Sequence, residues 1–419
     1  MRKVPLEFLS RYVENIVAAR IRGGRNKKLV KPMIAGLYLT MKCNFRCTYC
    51  DDGSGNMYPD MPDHRLDTAG TLKVLEIMRK CSPGLDLTGG EVTLRPDIDE
   101  IMEHVGRLGF CPTTFNTNAF LLDKHLSVLH HLDYLIISLD STDEARSDEL
   151  INLGRGGQTG RVIQNIKLAQ EYKQTHGLKF DTIINTVILP ETIEDAWGVF
   201  EFCLENNFYW SPMPYIVGKY PCPGLVDNPR WHELVDEVMR AKRLGARVYG
   251  NMKVLQTIRN FARFECYPTT HAIVYPNGDL FYPCSPLNTV AGNLLEIGDY
   301  EKAMRAGEEK HGPIPYCDSR CHIGCYMEGS TAIVNPAVGV MEAWRFIRRP
   351  PKDPVRLRKP NGNGKATMPP DFSEFRKMPS LPPDETRRLR REGLLENDFT
   401  STLSIKGQAA QPLIPITRN

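Results

Sequence analysis

The chain has 419 residues and a formal net charge of only +3, with 41% hydrophobic and 25% charged residues, enough for a large core and more than one domain. The charge is uneven: residues 1–33 carry nine Lys/Arg against two Asp/Glu, residues 345–419 carry sixteen against eight, and the body between them holds 28 basic and 40 acidic residues. An acidic body argues against nucleic acid as a partner, and no apolar run reaches the roughly 18–20 residues of a membrane span, so a cytoplasmic protein is expected.

Residues 1–33 read as a basic amphipathic segment. Leu9, Tyr12, Val13, Ile16, Val17 and Ile21 share one face of a helix predicted from Leu6 to Arg22, and Arg20, Arg22, Arg25, Lys27, Lys28 and Lys31 crowd its end. Such a face packs on its own domain or lies on an anionic membrane surface; the first is the commoner use and is the expectation here.

Residues 34–216 alternate β-rich runs with helical patterns. Strands are predicted at 35–41, 84–90, 112–118, 134–140, 181–188 and 208–216, and helices at 68–80, 97–109, 121–131, 160–175 and 192–206. This alternation implies an α/β fold with a parallel sheet, and six β/α units are too few to close the standard eight-stranded barrel.

The first strand runs into Cys43-Asn-Phe-Arg-Cys47-Thr-Tyr49-Cys50. Three thiolates on one tight loop can hold three irons of a cubane cluster and leave the fourth without a protein ligand. Zinc sites usually close with four ligands in paired arrangements, and this loop offers only one such pair. Disulfides are not expected in a chain without a secretory signal. Later strand ends also carry polar residues: Thr88-Gly89-Gly90-Glu91, Asn116-Thr117-Asn118 and Ser138-Leu139-Asp140. Ligands gather at the carboxyl ends of parallel strands, whereas helix capping is the plainer use of such residues. Val187 to Leu189, closing the fifth strand, are apolar wall or ordinary core.

Residues 217–262 form a mainly helical connection, and 263–330 a smaller module. Its centre is a hairpin predicted around Asn277-Gly278, flanked by Cys266 and Cys284, and Cys317, Cys321 and Cys325 follow at four-residue intervals. These five suit an iron–sulfur cluster, with zinc as the alternative. Cys81, Cys111, Cys203 and Cys222 read as small apolar residues. Eleven of the 31 prolines lie in 345–419, which reads as a disordered Pro/Arg-rich tail.

The cysteine spacing, with Tyr49 just before the last Cys, resembles the radical S-adenosylmethionine (SAM) superfamily. The second cysteine group looks like that family's SPASM/twitch extension. The resemblance covers about residues 34–330. It implies a partial (β/α)6 TIM-like barrel with a lateral opening, followed by a small hairpin-containing Cys-rich auxiliary cluster domain. It implies a [4Fe–4S] cluster on Cys43, Cys47 and Cys50 with SAM at the open iron. One auxiliary [4Fe–4S] cluster would sit on four of Cys266, Cys284, Cys317, Cys321 and Cys325. Cofactor contacts fall to Tyr49, Gly89, Gly90, Glu91, Asn116, Asn118, Ser138, Asp140 and Leu189, with Glu91 expected to take the methionine amine. Implied too are a flavodoxin- or ferredoxin-type electron donor and reductive SAM cleavage to a 5′-deoxyadenosyl radical. That radical takes a hydrogen atom from a small-molecule or lipid substrate, and the auxiliary cluster assists oxidation or coupling. The alternatives are a peptide-modifying maturase, disfavoured by the short stretch before the first strand, and a non-catalytic iron–sulfur or zinc protein on the same scaffold.

Overall fold

The computed structural model describes residues 6–21, 30–51, 57–151, 156–218, 220–312, 321–347 and 355–358. The helices are α1 (Leu6–Ile21), α2 (Thr68–Cys81), α3 (Ile98–Leu108), α4 (Glu144–Ile151), α5 (Gln158–Thr175), α6 (Ile193–Glu205), α7 (Pro229–Arg243), α8 (Met252–Asn260), α9 (Leu294–Ile297), α10 (Tyr300–His311), α11 (Gly324–Val334) and α12 (Pro336–Ile347). The strands are β1 (Ile34–Tyr38), β2 (Gly84–Thr88), β3 (Thr113–Thr117), β4 (Tyr134–Ser138), β5 (Asp181–Ile188), β6 (Tyr209–Pro214), the two-residue β7 (Ile216–Val217) and β8 (Tyr220–Pro221), β9 (His271–Val274), β10 (Asp279–Phe281) and β11 (Val290–Asn293).

Alternation along each strand builds the layers. Leu85 and Leu87 of β2, Leu135 and Ile137 of β4 and Ile184 and Ile188 of β5 point outward into one apolar core shared with Val74, Met78, Ile101, Met102 and Val105 of the helices. Helix ends obey local rules: Asp67 accepts from the Gly70 N–H to cap α2, Asn228 caps α7 with Pro229 behind it, and α3 stops at left-handed Gly109. The core is sealed at β6 by Trp210, which stacks on Phe200 at 4.5 Å and donates its indole N–H to Thr186 Oγ1 at 2.9 Å.

The sheet order is β11-β10-β9-β1-β2-β3-β4-β5-β6, with β1 to β6 consecutive and parallel. The expected hairpin forms as β9 and β10 around Gly278, whose φ is +90°. Its first strand lies parallel to β1, so the C-terminal module continues the barrel sheet instead of standing apart. Helix α11 then reaches the far edge, where a Cβ on its Gly324 would lie 2.9 Å from Met213 Sδ of β6. The curled sheet thus has its open side spanned by α11.

Four sequence expectations need amendment. Residues 121–131 form two short 3₁₀ turns in place of a helix, and α4 was not foreseen. Helix α1 docks with its polar side inward: the Asn15 amide bonds Lys31 O at 2.8 Å and Arg11 reaches Pro32 O, while Leu6, Leu9, Val13, Val17 and Ile21 are exposed. The apolar face is thus divided: Tyr12 and Ile16 are half-buried and Ala19 packs with Tyr267 and Ile333, while that outer stripe is left uncovered. Within the tail, residues 355–358 are held: Arg240 donates to Arg356 O at 2.8 Å, and the Arg358 N–H donates to Glu237 Oε1 at 2.7 Å. Residues 348–354 and 359–419 of the tail, Cys317, Arg22, Arg25, Lys27 and Lys28 lie outside the described residues, and 345–347 close α12. Among the described residues, no helix is long and apolar enough to cross a membrane.

Trp210→Ala removes a fully buried indole and its hydrogen bond, so urea unfolding should show a loss of about 3–5 kcal/mol.

Candidate active site

The cysteine loop leaves β1 at the carboxyl end of the sheet and is fastened from every side. Gly90 N–H donates to Thr40 O at 2.7 Å and Glu91 N–H to Lys42 O at 2.8 Å. Asp63 accepts from the Met41 N–H at 2.9 Å and from the Thr40 hydroxyl. Buried Arg95, paired with Asp97, donates to Leu39 O at 3.0 Å. On the far side, the N–H groups of Arg46 and Thr48 donate to Ile151 O and Leu150 O, the last carbonyls of α4. These carbonyls would otherwise be orphaned at the helix end.

The two glycines serve this fastening directly. Gly89 has φ +145°, and a Cβ there would lie 2.4 Å from Thr40 O; a Cβ on Gly90 would lie 2.2 Å from Lys42 O. Only glycine lets the β2 turn press against the cysteine loop.

Glu91, expected from sequence to take the methionine amine, sits among protein donors. It is 1% exposed, and its carboxylate accepts from four protein donors. These are the Thr93 N–H (3.0 Å) and hydroxyl (2.6 Å), the Thr117 hydroxyl (2.7 Å) and the Asn118 N–H (2.6 Å). Burial raises its pKa, and those four bonds oppose the rise. A carboxylate so enclosed binds the end of β2 to the end of β3.

Other expected contacts divide. Asn118 stays with the loop: its amide donates to Asn44 Oδ1 at 2.8 Å and approaches Cys43 Sγ at 3.8 Å. Tyr49 donates its hydroxyl to Asp140, which also accepts the Val187 N–H at 2.8 Å, joining the cysteine loop to the ends of β4 and β5. Burial pushes the Asp140 carboxyl up to about 6. Ser138 is exposed at the same end of the sheet. Asn116 points away into the barrel, donating to Asp86 Oδ1 at 2.6 Å and Leu87 O at 2.9 Å. Leu189 is 2% exposed and belongs to the core, so half-buried Val187 is the residue of this pair left for the site.

The three thiols are neighbours that raise one another's pKa, although among the described residues no three His, Cys, Asp or Glu are placed to hold a metal ion. Burial pushes Cys43 up to about 11 and Cys50 to about 12, with Cys43 adding to the rise of Cys50; Cys47 is raised by burial, by Asp140 and by both other thiols. Neighbouring, desolvated sulfurs that repel one another as thiolates are stabilised in that form by a bound cation. Phe45 N–H already donates to Cys43 Sγ at 3.3 Å. The buried Asn44 Nδ2 beside it has no partner among the described residues, a donor suited to an anionic, sulfur-rich group.

Four cysteines of the second group share one buried cluster. Cys284 and Cys321 are buried with Tyr326, Ile273 and Tyr275, and Cys266 and Cys325 pack against the same cluster. Cys325, on α11, is raised by burial and then by Cys321. Sequence reasoning missed Asn44, Asp63, Arg95 and α4, which position the loop. The adjacency of Asn44 to Cys43 was the one available signal.

Comparison with known proteins agrees with this geometry. The Radical SAM superfamily family model matches residues 37–203, so this span is a radical SAM domain, with a [4Fe–4S] cluster and SAM as cofactors. An S-adenosylmethionine-dependent nucleotide dehydratase from a Thermoplasmatales archaeon is 29% identical over 36% of this chain and 52% of its own. A probable GTP 3′,8-cyclase from Methanothermobacter thermautotrophicus is 26% identical over 63% of this chain and 86% of its own. The chain thus spans about half the length of the first of these relatives. Streptococcus suis SuiB bound to its precursor peptide SuiA superposes with a TM-score of 0.51 at 19% identity, covering 78% of this chain and 76% of that one, which shows a shared fold.

Glu91→Ala would leave three residues' donors unpaired in the interior. Thermal or urea unfolding of the metal-free protein should lose at least about 3 kcal/mol. An unchanged unfolding midpoint with weakened SAM binding would return Glu91 to the role of a ligand.

Proposed function

We propose that the protein is a radical SAM enzyme acting on a polar substrate held inside the curled sheet, with an auxiliary cluster on the opposite side. The observation that carries this reading is the fastening of Cys43, Cys47 and Cys50 against the Gly89-Gly90 turn, at the carboxyl end of a parallel sheet. When bound, the cluster and SAM supply a 5′-deoxyadenosyl radical that takes a hydrogen atom from the substrate.

The chain's own residues position and enclose. Asn44 and Asn118 offer amide donors beside Cys43. The backbone carbonyls of Gly89 and Gly90 take the methionine amine, since Glu91 is committed elsewhere. Ser138 and the Tyr49–Asp140 pair line the ribose side, and Val187 the adenine side. Cys266, Cys284, Cys321 and Cys325, with Cys317 as the fifth candidate, hold the auxiliary cluster. A flavodoxin- or ferredoxin-type protein supplies the electrons.

The inner face favours a polar substrate over a lipid tail. Closed barrels of this kind fill their interiors with Val, Ile and Leu. Here Asp86, Thr114, Asn116, Asn185, Ser211 and His271 occupy inward positions, with Ser211 donating to Asn185 at 3.0 Å. A nucleotide, as named for two relatives, and a peptide side chain both meet this requirement.

Anaerobic reconstitution with SAM and dithionite tests the reading: the protein should release 5′-deoxyadenosine, and none would be released by a non-catalytic scaffold. It should hold about eight irons per chain, falling to about four when Cys43, Cys47 and Cys50 are all replaced by Ala. Near one zinc per chain, unchanged by that replacement, would assign the C-terminal cysteines to zinc.

Membrane contact is a second element of the proposal, favoured by the stripe Leu6, Leu9, Val13, Val17 and Ile21 exposed along α1, with Val340 and Met341 exposed on α12. Tyr12 ties α1 to the α11–α12 corner, its hydroxyl donating to Ala332 O of α11 at 2.9 Å with Pro336 O of α12 at 3.3 Å. Each nearby Lys or Arg adds about 1 kcal/mol of attraction to an anionic surface. Val13→Glu with Val17→Glu should abolish binding to anionic liposomes and leave the unfolding midpoint unchanged, since both positions face solvent. Undiminished binding would refute the contact.

A further inference from the structure

The inner face of the sheet carries one carboxylate that neither the cysteine loop nor the Gly-Gly turn uses. Asp86 stands at the middle of β2, and its side chain is 23% exposed. Oδ1 accepts from Asn116 Nδ2 at 2.6 Å and from the Thr114 hydroxyl. Oδ2 faces His271 Nε2 at 3.9 Å, beyond hydrogen-bond distance.

This approach spans β1, because Asp86 and Ile273 both pair with Gly36 in the sheet. It exists because residue 36 has no side chain. A Cβ there would lie 2.9 Å from His271 Nε2 and 2.7 Å from Ile273 Cδ1. Among the described residues no Lys or Arg pairs with Asp86, and burial holds the His271 imidazole below its ordinary pKa. A half-enclosed carboxyl group therefore rests on two neutral donors, with its second oxygen turned to a gap between two acceptors.

We propose that Asp86 and His271 together bind a protonated amine of the substrate. This rests on the reading of the inner face as the substrate chamber. Two acceptors 3.9 Å apart can both lie within about 2.9 Å of a single nitrogen, and an ammonium group has three donors to share between them. His271 accepts in its Nδ1–H form. The position suits a substrate anchor: Asp86 is three residues before Gly89, about 10 Å along the strand from the Gly-Gly turn. Tyr38 and Tyr275, with ring centroids 5.0 Å apart, supply an aromatic wall beside it.

The test uses reconstituted holoenzyme with SAM bound and two probes of equal shape, benzylammonium and benzyl alcohol, followed by ligand-observed NMR. The wild type should prefer benzylammonium, and Asp86→Asn should weaken that probe roughly tenfold while leaving benzyl alcohol unchanged. If Asp86→Asn does not fold, His271→Gln carries the same comparison. Equal binding of both probes by the wild type, or equal benzylammonium binding by the variant, overturns the proposal. Release of 5′-deoxyadenosine by the wild type is measured separately. A protein that binds benzylammonium through Asp86 but cleaves no SAM keeps the amine site and loses the enzymatic reading. An acetyl-lysyl-glycine amide that binds with the same Asp86 dependence places the amine on a peptide; its exclusion while benzylammonium binds places it on a small molecule.

Discussion

The buried Glu91 carboxylate is the knot from which the site is built. It gathers donors from its own turn and from the end of β3, while its backbone N–H and that of Gly90 hold the cysteine loop. A carboxylate can be enclosed this way only if each oxygen is satisfied, and four short bonds meet that condition. The loop could not otherwise keep three desolvated thiols together, because they repel as they ionise. Order in the loop is thus imposed by neutral and ionic hydrogen bonds from β2, β3, α4, Asp63 and Arg95 before any metal arrives.

This arrangement divides the molecule by height along the strands. The carboxyl ends carry the loop, the Gly-Gly turn and the Tyr49–Asp140 contact. One pleat lower, the inner face turns polar at Asp86, Asn116 and His271. The C-terminal hairpin adds to the same sheet through β9, and α11 brings Cys325 across the open side. Both cysteine groups therefore look onto one interior, which is how a substrate could meet both.

Much of this was legible in the sequence where it is local. The order and positions of β1 to β6 follow from apolar periodicity, although the expected strands at 35–41, 84–90 and 134–140 overran their ends by two or three residues, and the cysteine spacing and the Gly-Gly-Glu turn stand out as motifs. What failed was long-range. Nothing near Glu91 tells that Thr117 and Asn118, 26 and 27 residues later, take up its oxygens. Asn116 and Asn118 look equivalent in sequence, yet two residues along a strand reverse nothing: Asn118 has left β3 and turns to the loop, whereas Asn116 remains in the strand and bonds downward to Asp86. The pairing of β9 with β1 joins residues more than 230 positions apart. The exposed apolar stripe of α1 was visible, but which side docks depended on Asn15 and Arg11 finding carbonyls on the chain that follows.

The most direct measurement of the central claim is the iron content and Mössbauer spectrum of Gly90→Ala after anaerobic reconstitution. An added Cβ would stand 2.2 Å from Lys42 O, so the turn could no longer press on the loop. The account predicts a folded protein that has lost about four irons, keeps the C-terminal cluster and releases no 5′-deoxyadenosine. Full iron loading with undiminished 5′-deoxyadenosine release would show that the cysteine loop holds its cluster without that clamp.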